Sequence, residues 1–145
     1  MQNTPEQLIE ELGMQPHPEG GHYVETFRDQ SNERGTVSCI YFLLKAEEIS
    51  VWHRIDATEI WHFVDGAPLT LTLYTEGEEP KERTLGNNIA QEEEPHIVIA
   101  PHEWQSARSN GEWTLVSCIV APAFNFEGFE MLKGGTPWQS TKNAS

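Results

Sequence analysis

Ser50–Gly66, SVWHRIDATEIWHFVDG, decides how the chain reads. Val51–Ile55 and Glu59–Val64 are two β-branched and aromatic runs, with Asp56-Ala57-Thr58 between them. Asp65-Gly66 is a turn signal. His53 stands six residues before Glu59, so an imidazole and a carboxylate on neighbouring strands can converge on one pocket.

Outward from this stretch the chain keeps to strands. On the N-terminal side, Val37–Leu44 (VSCIYFLL) is apolar on both faces, as a strand covered on both sides would be. His22–Arg28 reads as another strand, reached through a loop from Met14 to Gly21 that holds Pro16, Pro18, Gly20 and Gly21. The Gly20-Gly21 pair reads as no more than a flexible entry to that strand. Thr4–Gly13 reads as a short helix on the outside of the body. Thr4 caps it, Pro5 takes its first position, Gln7 completes a capping box, Leu8, Ile9 and Leu12 form its apolar stripe, and Gly13 stops it.

On the C-terminal side, Leu69–Thr75 alternates cleanly, with Leu69, Leu71 and Leu73 on one face. Glu76–Pro95 is an acidic, solvated section around one short strand, Lys81–Leu85. Ile97–Ile99, Trp104–Arg108, Trp113–Val120 and Phe126–Leu132 follow as strands, and Asn110-Gly111 signals a hairpin. The expected architecture is an all-β barrel or sandwich in a single domain spanning 1–145. The helix and entry loop occupy 1–21, the barrel 22–132, and a loosely held tail 133–145.

Composition narrows the function. The chain has 145 residues, 37% of them hydrophobic, with five Trp, six Phe and three Tyr. That is enough to bury a core without disulfides or metal. The net charge of −14 repels phosphate backbones and anionic membrane surfaces, so neither nucleic acid nor membrane is an expected partner. Cys39 and Cys118 lie within apolar runs and read as small buried hydrophobes. No run approaches the roughly 20 apolar residues of a membrane helix. The start, MQNTPEQ, lacks the features of a secretory signal, so a cytoplasmic location is the expectation.

Two strand–turn–strand units flank the acidic section, and together they resemble the two motifs of the cupin superfamily. Positions His53, Ile55, Glu59 and Gly66 follow the spacing of the first, and Pro101, Glu103, Ser106 and Asn110 that of the second. Of the four usual metal-ligand positions, His53 and Glu59 keep ligand-type side chains. The stretches GGHYVETFR, IYFLL, WHRIDATEIWHF, PHEWQSAR and VAPAFNFEGFE are similar to a subfamily of small cupins without an assigned activity, the DUF985 group. The resemblance implies a double-stranded β-helix (jelly-roll) barrel, a pocket inside it and a homodimer.

Three functional readings follow. In the first, a metal-independent epimerase or isomerase acts on a sugar-like substrate, as in the deoxysugar epimerases of similar architecture. His53 is its base, Glu59 orients His53, and Tyr41 is the first-choice acid ahead of Tyr23 and Tyr74. In the second, the same pocket binds or senses a small ligand without catalysis. In the third, a divalent metal sits on His53 and Glu59, with His62 or His102 as a further ligand; two ligands fall short of the usual three, so no cofactor is the expectation. Strand parity puts His62 on the face opposite Glu59 and Arg54 on the face opposite His53. By the same parity Trp61 and Phe63 share the face of Glu59, and Trp104 and Arg108 that of Ser106. If both faces line the barrel, these five residues form an aromatic, guanidinium-bearing ligand site. Arg28 and Glu25 belong to the pocket edge or the dimer interface.

Overall fold

A computed structural model describes residues 3–139. Helix α1 (Pro5–Leu12) precedes eleven strands: β1 (Gln15–Pro16), β2 (His22–Arg28), β3 (Ser38–Lys45), β4 (Ile49–Ile55), β5 (Thr58–Gly66), β6 (Leu69–Tyr74), β7 (Lys81–Leu85), β8 (His96–Ile99), β9 (Trp104–Ser109), β10 (Trp113–Ala121) and β11 (Phe129–Met131). They form two antiparallel sheets, ordered β1-β2-β3-β10-β5-β8 and β11-β4-β9-β6-β7.

The sheets face each other as a jelly-roll barrel. Phe42, Leu44, Trp61, Phe63, Leu71 and Val116 meet between them, each under a tenth exposed. Burial of this kind supplies most of the drive to fold, about 25 cal/mol per Å² of apolar surface removed from water. Leu43 and Tyr41 point the other way from β3, onto a second cluster where Leu8 of α1 packs with Met14 and Leu115. Helix α1 carries the expected capping box, Gln7 N–H to Thr4 Oγ1 at 3.2 Å and Thr4 N–H to Gln7 Oε1 at 3.0 Å.

Two local readings change. Asn110-Gly111 does not join a hairpin: β9 pairs with β4 and β6, β10 with β3 and β5, and the turn carries the chain from one sheet to the other. The strands β4 and β5 are divided between the sheets in the same way, so His53 and Glu59 approach across the barrel. The second change concerns the entry loop, which is pressed against the barrel mouth. Val51 N–H donates to Glu19 O at 2.8 Å. A Cβ on Gly20 would lie 2.1 Å from Ile49 O, and one on Gly21 2.6 Å from Leu43 O, and both residues have positive φ. These glycines are therefore a steric requirement of close approach, not loose linkers.

At the other end of the chain, Trp138 packs edge-on against Trp52 and Tyr74, with centroids 5.7 and 5.3 Å apart. The tail expected from residue 133 is thus held through this ring. Residues 140–145 lie outside the described residues.

Candidate functional site

One end of the barrel is not filled. A cavity of about 250 Å³ opens there between the sheets. β4 supplies His53 and β5 supplies Glu59; β10 adds Cys118, and β2 adds Tyr23 and Arg28. The entry loop delivers His17 and Glu19. Phe124, Phe126 and Phe129 form an aromatic wall, mutually edge-on with centroids 4.9–5.9 Å apart.

The titratable groups are tightly arranged. His53 is 2% exposed. Its Nδ1 lies 2.7 Å from Val51 O. A carbonyl can only accept, so Nδ1 carries the proton and Nε2 presents its lone pair. That nitrogen faces Glu19 Oε2 at 3.1 Å. Glu19 Oε1 accepts from Ser50 Oγ at 3.0 Å, and His17 Nδ1 accepts from the Glu19 amide at 3.2 Å. On the other side, Glu59 Oε1 accepts from Gln105 Nε2 at 2.8 Å, and Gln105 Oε1 accepts from Trp61 Nε1 at 2.9 Å. The Cys118 thiol lines the cavity beside Glu59.

Burial drives these groups toward their neutral forms. It raises the Glu19 pKa to about 8, against the pull of the Ser50 hydrogen bond. It raises Glu59 to about 7; nearby His53 opposes the rise and Glu19 adds to it. Burial lowers His17 to about 4, with His53 adding to the effect. His53 is also lowered, against the attraction of Glu59 and the Val51 carbonyl. Cys118 is pushed well up by burial and by the two carboxyls, so it stays a thiol. At neutral pH the Glu19–His53 contact is therefore a protonated carboxyl donating to a neutral imidazole. Glu59 sits near its midpoint.

His53 and Glu59 do meet at one cavity, but His53 takes Glu19 as its direct partner. The other expected site residues lie elsewhere. Tyr41 is on the outer face of β3 under α1, because Ile40, Phe42 and Leu44 take the inward positions. Tyr23 is the phenol that reaches the cavity. Trp61 and Phe63 point inward as parity requires, but into the dry core beneath the cavity, and Trp61 reaches the site only through Gln105. Trp104, Ser106 and Arg108 occupy the wrong face of β9: Gln105, Ala107 and Ser109 point inward instead. Trp104 lies under the Arg54 guanidinium at 4.6 Å, Ser106 Oγ donates to Ser50 O at 3.0 Å, and Arg108 is exposed. In W-Q-S-A-R-S the bulky Trp suggested the core face, whereas the core took the amide that satisfies Trp61 and Glu59.

Local pattern in the sequence does not single out Gln105, His17, Glu19 or the wall of Phe124, Phe126 and Phe129 as site residues. The one available signal was a His and a Glu in His17-Pro18-Glu19, directly before two glycines.

The donors do not suit a metal ion. Among the described residues no group of three His, Cys, Asp or Glu side chains is placed to share one. The His53 nitrogens are engaged by Val51 and Glu19, and Glu59 is engaged by Gln105. Ser106, at the second motif's ligand position, lies outside the barrel.

A double-stranded β-helix barrel with a polar, titratable mouth is the architecture of the cupins. The chain belongs to the Cupin_5 family, Cupin superfamily (DUF985), whose match spans residues 6–132. A protein from Shewanella oneidensis is similar over 99% of this chain and 90% of its own, with 32% identity and a TM-score of 0.88. A hypothetical protein from Leishmania major is 27% identical over 90% of this chain and 88% of its own, with a TM-score of 0.83. Oxalate decarboxylase from Bacillus subtilis shares the fold at 13% identity, covering 89% of this chain and 33% of its own, with a TM-score of 0.67. No curated protein matches the chain. Among the described residues no helix is long and apolar enough to cross a membrane.

Proposed function

We propose that the barrel mouth binds a small polar molecule and moves a proton on it, as a metal-independent isomerase or epimerase does. One observation carries this reading: two buried carboxyls with pKa values near 8 and 7 flank a neutral histidine in a cavity open to solvent. A proton-transfer site needs one group that gives a proton and one that takes it, each with a pKa near the working pH. Glu59, partly ionised at neutral pH, takes a proton from carbon next to a carbonyl. Glu19 holds the proton to be given, and His53 Nε2 is its partner. His53 thus moves from the base of the sequence reading to the group that orients the Glu19 proton, its own Nδ1–H being held by the Val51 carbonyl. The phenylalanine wall packs on the apolar face of the ligand, and Tyr23 and Arg28 contact its polar edge.

The test is hydrogen–deuterium exchange. A panel of ketoses, aldoses and 2-keto acids is incubated with the protein in D2O, and loss of the C–H signal next to the carbonyl is followed by NMR. Exchange should occur for at least one ligand and fall about 100-fold or more in Glu59→Gln, the usual scale for loss of a general base. Binding by the variant should change far less. A ligand that binds the parent protein with no exchange would replace this reading with a non-catalytic binding or sensing module. That alternative draws on the completeness of the cluster, in which every carboxyl already has a protein partner. The homodimer implied by the resemblance is a separate proposal, read from sedimentation of the full chain.

A further inference from the structure

The outer face of the β5–β8 pair carries two histidines that the cavity does not use. Glu59, Trp61 and Phe63 point into the barrel, so His62 points out, and His96 points out from β8 because Ile97 and Ile99 point in. Both imidazoles are exposed. They are direct cross-strand partners, His62 opposite His96. Phe63 N–H donates to Pro95 O at 2.8 Å, one step further along the ladder. Antiparallel positions alternate, so His62 and His96 occupy a non-hydrogen-bonded pair, the type in which Cα atoms stand about 4.5 Å apart and side chains are closest. Among the described residues neither ring makes a hydrogen bond or an ion pair with protein, so their nitrogens are available to a ligand. Helix α1 packs over Tyr41, Leu43 and Leu115, on β3 and β10, which leaves this end of the sheet open.

We infer that His62 and His96 form a two-imidazole chelate for a late first-row divalent metal ion on the barrel's outer face, with water completing the coordination. Two imidazoles are fewer protein donors than the three or more of a resident metal site, so this is a two-point chelate whose remaining positions are water, and it suits nickel, zinc or copper, which prefer nitrogen donors. The backbone ladder fixes the spacing before the ion arrives, so little ordering opposes binding. The net charge of −14 favours cations at the surface. The site is separate from the cavity, whose histidines are buried and engaged.

The test uses full-length protein stripped of metal and titrated with NiCl2 by calorimetry at about pH 7.5, above the ordinary histidine pKa of about 6.5. One ion per chain is expected. His62→Gln and His96→Gln should each weaken binding about ten-fold or more, and the double variant should be scarcely weaker than either single one, because losing one arm already ends chelation. In a parallel ZnCl2 titration, the ring NMR signals of His62 and His96 should move together while those of His17 and His53 stay. Binding unchanged in either single variant, single effects that simply add, or movement confined to His17 and His53 would overturn the inference.

Discussion

The two ends of this barrel are built from the same strands and behave as opposites. At one end Trp61, Phe63, Leu71 and Ile97 close a dry core. At the other, two residues back along β5, Glu59 faces His53, Glu19 and Cys118 across a cavity. Both ends exclude water well enough to bury their side chains, yet only one has titratable groups to neutralise. Burial alone therefore does not mark a site. What marks it is burial of groups whose charge must be given up or shared. Gln105 joins the two regimes, accepting from Trp61 on the dry side and donating to Glu59 on the wet side.

The sharpest contrast is in stability. Phe42, 1% exposed, packs against Trp61 edge-on at 5.8 Å. Phe42→Ala should cost about 3–5 kcal/mol in denaturant unfolding, a loss that includes the edge-on contact of this ring with His17 at 5.8 Å. A loss well below 1 kcal/mol would mean that the dry end is not the stabilising half. Gln105→Leu tests the joint between the ends. It strands the Trp61 N–H and removes a hydrogen bond from Glu59, for a loss of about 1–3 kcal/mol. Because that bond holds the Glu59 pKa down, its removal should move Glu59 further up, readable by carboxyl NMR.

The smallest effect belongs to the wet end, and its sign is specific. Glu19 and Glu59 bind protons in the folded state up to about pH 8 and 7, whereas the unfolded chain releases them near 4.5. They lower stability as pH rises between those values. His17 and His53, with depressed pKa values, act oppositely and only below the unfolded value of 6.5. Asp29, Asp56 and Glu94 are depressed carboxylates whose contributions are lost only in more acid solution, below about pH 4.5. Stability should thus fall by about 1–2 kcal/mol between roughly pH 6.5 and 8, and Glu19→Gln should remove most of that fall. A flat profile in the parent protein would show that Glu19 is ionised and ion-paired with His53.

Much of this was legible from residue order. The capping box at Thr4 and Gln7, the two-sided burial of β3, the inward run Leu69-Leu71-Leu73 and the shared face of Glu59, Trp61 and Phe63 all follow from local periodicity. The errors cluster where local pattern was silent. In β9 either face offered a plausible core, and only Trp61 and Glu59 across the barrel decide for Gln105. Tyr41 lay in a strand buried on both faces, where hydrophobicity cannot say which side is the barrel interior.

The sequence by itself determined most of the strands, their internal parity, the helix near the start and the meeting of His53 and Glu59 at one pocket. These depend on neighbours within a few residues, where backbone sterics and solvent exposure act directly. Only the tertiary structure decided that Glu19 faces His53, that the entry loop lines the mouth and that β4 and β5 stand in opposite sheets. Those contacts join groups from distant parts of the chain, beyond the reach of any local pattern.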